Sequence, residues 1–269
     1  SPAAYRTFEE CQMASLIQMA RTLDLQKDAE KNADEIKKRY HAIVALLERA
    51  RALATPQDNP ADVADVNLRL IYYYQMTDQP HLAAILGEHM ARTTKAPGGK
   101  SSLAGALAIS GYFRSTAQIK NAGAEKLDAL RKTDRDRSIA LATFLDKQFP
   151  NDTATDRARH RLAGLLYEDQ KPVEAYEVLL RVRPGYESIS SARLFQGALA
   201  SQMLSAKDSP LPEARRKDVF RRTTSDLDKL VKPLATAPED EVRPYVTARC
   251  RLAMLYILQP RVDPDGDRL

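Results

Sequence analysis

The chain has 269 residues, 43% of them apolar, and a formal net charge of +5 from 41 basic and 36 acidic side chains. That length holds one large or two small cooperative units, and so mild a charge argues against the concentrated basic stripe of a nucleic-acid-binding domain. No run of 18 apolar residues exists to span a membrane, and Cys11 and Cys250, at opposite ends, form neither a disulfide framework nor a metal motif.

Ten glycines and no clustered β-branched runs favour helices throughout. A first helix is expected from Tyr5 to about Leu23, on the three- and four-residue spacing of Phe8, Met13, Leu16, Ile17, Ala20 and Leu23. The polar segment "DLQKDAEKNADEIKKRY" either ends that helix or begins the next. Ile36, Tyr40, Ile43, Leu46, Leu47, Ala50 and Leu53 mark a second amphipathic face, broken by "ATPQDNP" at 54–60. A third helix runs from Pro60 or Asp62 to about Met76, and "TDQP" turns it into a fourth, "HLAAILGEHMART".

The strongest loop signal is "TKAPGGKSS" at 94–102, with Ser101 or Ser102 placed to cap the helix after it. That fifth helix carries Ala104, Ala106, Ala108 and Gly111, small residues that permit close packing, while Asn121 and Gly123 weaken the segment that follows. Six more helices are expected: "TDRDRSIALATFLDKQFP", "NDTATDRARHRLAGLLYEDQ", "KPVEAYEVLLRVRP", "SISSARLFQGALASQMLSA", "EARRKDVFRRTTSDLDKLVKPLA" and "TAPEDEVRPYVTARCRLAMLYILQ". "DPDGDRL" reads as the start of a twelfth, and the ends suggest a processed or excised chain, truncated at its C-terminus.

Three apolar runs end in a tyrosine before a polar corner with Gln and Pro: Tyr74 before Pro80, Tyr167 before Pro172, and Tyr256 before Pro260. Ala83 and Ala175 each follow their corner proline by three, where a small residue lets the second helix lie close on the first. A tyrosine one turn before the corner is expected to fill the wedge between the helices. Leu162, Leu165, Leu166, Ala175, Val178, Leu179 and Val182 are the expected seam of the best pair. One hairpin cannot bury both its apolar faces, so stacked neighbours are required.

The unit "TATDRARHRLAGLLYEDQKPVEAYEVLLRVRP" resembles a tetratricopeptide repeat, and residues 134–184 resemble its bacterial envelope-type form. Ala163, Gly164 and Tyr167 look like the small and aromatic positions of the repeat's first helix, Pro172 the start of its second, and Ala175 its signature alanine. The resemblance implies an all-α fold, an α-α superhelix of tetratricopeptide-like type with irregular hairpins. The whole chain, 1–269, is then one repeat domain, with a possible subdivision into 1–96 and 101–269 at the PGGKSS loop.

Candidate chemistry is sparse. His81 and His89 are two turns apart, but no tight ligand set surrounds them, and His41 and His160 read as surface histidines. "PGGKSS" lacks P-loop spacing and a preceding strand. The acids at 239–241 and 263–267 lack EF-hand order. Cys11 and Cys250 read as core. No catalytic residue, metal or cofactor is assigned. The basic cluster Arg215, Arg216, Lys217, Arg221, Arg222, Lys229 and Lys232, with Arg181, Arg183 and Arg193 nearby, interleaves with acids and reads as a solvated face with Phe220 inward. Tyr72, Tyr73 and Tyr74 span too wide an arc for all to be buried. Tyr72, Tyr73, Arg215 and Arg222 are therefore the candidate contacts for a protein or peptide.

These features point to a non-catalytic interaction or scaffold domain that holds a partner segment on a concave face. The alternative is a supporting helical module of a larger enzyme or regulator. Cytoplasmic and exported compartments both stay open, as do partner identity and oligomeric state.

Overall fold

The computed structural model describes residues 2–94, 98–118, 124–231 and 242–263. Asn121 and Gly123, Lys232, the acids at 239–241 and the expected twelfth helix beyond 263 lie outside them. The described residues are all-α, with no strand. A short 3-10 turn, Pro2–Ala4, precedes α1 (Phe8–Gln26), α2 (Ala33–Leu53), α3 (Pro60–Met76), α4 (Pro80–Thr93), α5 (Lys100–Gln118) and α6 (Ala124–Gln148). Then come α7 (Thr153–Glu168), α8 (Pro172–Leu180), α9 (Ile189–Ser205), α10 (Glu213–Val231) and α11 (Val242–Val262).

Each helix starts for a local reason. Thr7 caps α1 through a reciprocal capping box: Thr7 Oγ1 accepts from Glu10 N–H at 3.2 Å, and Glu10 Oε2 accepts from Thr7 N–H at 3.2 Å. The pattern Thr-x-x-Glu was present in the sequence and was the missed signal for this helix start, three residues after the expected one. Asn59 Oδ1 accepts from Ala61 N–H at 2.9 Å to cap α3, and Pro60 occupies its first turn. Neither Ser101 nor Ser102 caps α5 in the expected way. Ser101 donates to the Thr94 carbonyl, and Ser102 donates to the Gly99 carbonyl and lies 2.8 Å from Asp152 Oδ2.

Packing divides the chain between Ala158 and Arg159, within α7, and the 94–102 loop lies inside the first unit. In that unit each of α1 to α5 packs on the helix that follows it, and α3 also meets α5. In the second unit α8 packs on α9, α9 on α10, α10 on α11, and α9 again on α11. Contact between alternate helices is the pattern of stacked hairpins. The first unit's core is built from Phe8, Ile43, Leu47, Leu70, Ile71, Tyr74, Leu86 and Met90, all buried.

Two corners share one geometry. At the first, Gln79 N–H donates to the Tyr74 carbonyl at 2.8 Å, and Asp78 has φ +56°. At the second, Lys171 N–H donates to the Leu166 carbonyl at 2.9 Å, Gln170 N–H donates to Tyr167 at 3.0 Å, and Gln170 has φ +60°. Both are Schellman closures, with the six-to-one bond satisfying a carbonyl the helix end would orphan. Pro80 and Pro172 then match as first helical residues, and Ala83 and Ala175 match as fully buried.

This register moves the tyrosines. Tyr74 corresponds to Leu166, not to Tyr167. Tyr74 is buried, whereas Tyr167 is 40% exposed and lies edge-on to Phe195 at 5.8 Å, so it does not fill a wedge between α7 and α8. Ala163 is buried as expected, but a Cβ on Gly164 would meet nothing within 4 Å, so no close approach demands a glycine there. The third corner does not form: Pro260 lies inside α11, which runs on to Val262. A left-handed conformation costs a non-glycine residue about 1–2 kcal/mol. Gln170→Gly, after its extra unfolded-state entropy, is therefore expected to stabilise the second unit by about 0.5–1 kcal/mol. The check is an upward shift of the urea midpoint at constant slope.

Candidate functional site

Tyr72 stands on a supported aromatic base in the first unit. On α3, Asp65, Arg69, Tyr72 and Met76 recur at three- and four-residue steps, opposite the buried Val66, Leu70, Ile71 and Tyr74. Tyr72 is 46% exposed. Its ring meets the half-buried Tyr73 edge-on at 5.3 Å and 88°, and Tyr73 meets Tyr40 of α2 at 5.5 Å and 61°. Gln26 Nε2 donates to the Tyr40 hydroxyl at 2.7 Å, which ties the end of α1 into the same base. Burial, reinforced by Tyr40 and Tyr72, pushes the Tyr73 hydroxyl up to about 12, so it remains protonated at neutral pH.

Around Tyr72 the charges are unevenly satisfied. Asp65 pairs with Lys100 of α5 at 2.7 Å. Arg69 Nη1 is buried and has no hydrogen-bond partner among the described residues. A buried guanidinium N–H without an acceptor is costly. Arg69 was not singled out from the sequence. Its spacing from Tyr72 placed both on one face, but only coordinates reveal that its neighbours leave an N–H unmet.

The second unit holds Arg215 and Arg222, on α10. Arg215 Nη2 lies 2.5 Å from Glu177 Oε1. Lys217 Nζ sits 2.9 Å from Asp263 Oδ1, and Arg221 Nε sits 2.5 Å from Asp263 Oδ2. The hydrogen bond from Arg221, then that from Lys217, holds the Asp263 carboxyl below the usual carboxylate range. Arg216 Nε donates to the Leu211 carbonyl at 3.3 Å. Arg222 is exposed. Much of the basic cluster is thus neutralised in place by acids distant in sequence.

Arg193, read from the sequence as part of that cluster, is instead structural. It donates to the carbonyls of Leu179 at 3.2 Å and Val182 at 2.9 Å and to Gln196 Oε1 at 2.6 Å, and lies 3.7 Å from Asp226. Arg159 adds a donor to the Arg181 carbonyl at 3.0 Å. Cationic donors at a helix C-terminus satisfy orphan carbonyls and oppose the negative end of the dipole.

Two further readings change. Cys250 is exposed, whereas Cys11 is buried as expected. His160 is not on a solvated face: it is half-buried, 3.4 Å from the Tyr186 hydroxyl, and burial followed by the Arg161 charge pushes its pKa down. His41, His81 and His89 are exposed. Among the described residues no three His, Cys, Asp or Glu side chains gather as a metal set. Glu88 of α4 and Asp134 of α6 are engaged locally. Tyr112 donates to Glu88 at 2.5 Å, Glu88 pairs with Arg92 at 2.9 Å, and burial raises Asp134 against the opposing charge of His81. No helix is long and apolar enough to cross a membrane among the described residues.

The chain matches no protein-family model, and no curated protein matches it in sequence.

Proposed function

We propose that the chain is a non-catalytic protein-interaction domain of tetratricopeptide-like construction that holds a segment of a partner protein against the outward face of α3. The observation that carries this reading is Tyr72: a large side chain, 46% exposed, on a base formed by Tyr73 and Tyr40. An aromatic anchor already held in place loses little conformational entropy on binding, and Tyr is enriched among residues that dominate interface energy. Met76, also exposed, extends the apolar strip by one turn.

A photo-reactive residue placed at position 72 is expected to give a discrete cross-linked adduct in cells. The same residue at the exposed His89 is the control. Tyr73→Ala, which removes the ring that Tyr72 rests on, is expected to weaken the adduct at 72 by about tenfold, the ~1.4 kcal/mol of one aromatic contact. Equal labelling at 72 and 89, or none at 72, counts against the reading.

A further inference from the structure

We infer that the connection between α8 and α9, residues 181–188, is a pH-gated corner: closed near neutral pH and released by mild acid, with His160 of α7 as the group that releases it. The corner follows a helix of only nine residues, and side chains hold it in place. Arg159 of α7 donates to the Arg181 carbonyl at 3.0 Å. Arg193 of α9 donates to the Leu179 carbonyl at 3.2 Å and to the Val182 carbonyl at 2.9 Å. The third anchor is an aromatic contact. His160 Nδ1 lies 3.4 Å from the Tyr186 hydroxyl, and the two rings meet edge-on at 5.9 Å and 85°. Tyr186 is the sole aromatic side chain of 181–188 and is buried, so it plugs the corner. All of these residues belong to the second unit.

Of the three anchors, only His160 changes charge between about pH 5 and pH 8; a guanidinium keeps its charge throughout. The surroundings oppose a proton on the ring. From the connection, Tyr186 presents its ring and a hydroxyl too distant for a strong hydrogen bond to a new Nδ1–H. On α7 the charge of Arg161 acts on the ring, and the buried Arg159 is its other neighbour in sequence. The connection brings Arg181 and Arg183, and α9 brings Arg193. The acids of the region are already engaged. Asp156, one turn before His160 on α7, and Glu187, beside Tyr186, each have a partner, and Asp226 lies 3.7 Å from Arg193. A protonated His160 is thus one more cation in an arginine-rich corner.

The sign follows from linkage. Burial, then the charge of Arg161, holds the folded-state pKa of His160 below its ordinary value, so the open chain binds the proton better than the closed corner does. The contact is therefore fully stabilising above about pH 6.5, the ordinary histidine value, and is lost as pH falls through the lowered one. Release of Tyr186 leaves α8 tied at its C-terminal end by Arg159 and Arg193 alone. His41, His81 and His89 lie in the first unit and are exposed, so the corner has a single titrating histidine. The face of α3 carrying Tyr72 takes no part, so this inference and the partner-binding reading stand or fall separately.

The test is amide hydrogen exchange on the full chain at about pH 7.5 and about pH 5.5, corrected for the intrinsic pH dependence of exchange. It reads the two amides that close the corner: Tyr186 N–H, which donates to the Arg183 carbonyl at 3.1 Å, and Ile189 N–H, which donates to the Tyr186 carbonyl at 3.0 Å. In the wild type both are expected to lose protection at the lower pH, while the amides of α10 keep theirs. In His160→Phe, which keeps a ring edge against Tyr186 and cannot titrate, protection at the corner is expected to be the same at both pH values. A wild-type corner equally protected at both overturns the inference. So does a parallel loss in α10, the mark of global unfolding, or a His160→Phe corner that responds to acid as the wild type does. Circular dichroism at about pH 7.5 checks that the variant is helical; if it is not, His160→Gln replaces it, with the same outcomes.

Discussion

Gly87→Val is expected to destabilise the first unit by about 3 kcal/mol, seen as a fall in urea midpoint at constant slope. A Cβ on Gly87 would lie 2.5 Å from the Ala104 carbonyl oxygen and 2.9 Å from Ala108 Cβ. The obstacle is the backbone of α5, which has no rotamer by which to move aside. The same seam repeats the constraint: a Cβ on Gly111 would sit 2.7 Å from the Pro80 carbonyl oxygen, and Ala83, Ala84 and Ala91 of α4 are buried. Gly87→Ala is the sharper control. In an exposed helix that change stabilises by about 1 kcal/mol through propensity. Here it is expected to destabilise, and a stabilised Gly87→Ala protein would show that α4 and α5 do not approach so closely.

Arg193→Met is expected to cost about 3 kcal/mol, whereas Arg215→Ala is expected to change stability by less than about 0.5 kcal/mol. Both residues are arginines with an acidic neighbour, and their environments separate them. The Arg193 side chain is 13% exposed and Asp226 is 18% exposed, so the substitution leaves the Leu179 and Val182 carbonyls without this donor in a poorly solvated place and leaves Asp226 with only Gln196 and the exposed Lys229. It also removes donors from the end of α8, which has only nine residues and depends on its ends and its packing to be helical. Arg215 and Glu177 are 45% and 34% exposed, and water replaces either partner at little cost. The check is the pair of urea midpoints measured side by side. Similar losses for both variants would contradict the structural role assigned to Arg193.

The helical content was legible because apolar spacing of three and four residues runs through nearly every segment, and Asn59-Pro60 and Pro172 mark helix starts by chemistry local to them. What was not legible was which apolar stripe of a helix meets the core. Met13, Leu16, Ile17, Ala20 and Leu23 form the cleaner pattern on α1, yet Phe8, Cys11, Ala14, Ser15 and Thr22 are buried. Periodicity reports that a side is apolar; only the neighbour decides whether it is covered. The same limit produced the misread corner at Pro260. Gln-Pro after an apolar run also fits a continuing helix, in which one carbonyl loses its donor.

The candidate contacts divide in the same way. Exposure of one tyrosine among Tyr72, Tyr73 and Tyr74 followed from helical geometry alone, because three adjacent positions cover too wide an arc to be buried together. Which one is exposed, and that Tyr40 comes to support it, needed α2 beside α3. For the basic residues the sequence offered a count and a spacing. Asp263 beside Lys217 and Arg221, and Glu177 beside Arg215, are 38 to 46 residues distant and were invisible to local inspection.

By itself the sequence determined an all-helical chain of short hairpins, the small residues of the fifth helix, and the proline-initiated helices after two corners. These rest on interactions within one or two turns, which a linear pattern records directly. Tertiary structure alone decided that Tyr74 matches Leu166 rather than Tyr167, that Arg193 caps α8 instead of facing water, and that α1 and α11 keep an apolar stripe uncovered. Each of these depends on which residues far apart in the chain become neighbours, and burial, ion pairing and exposure are properties of those neighbours.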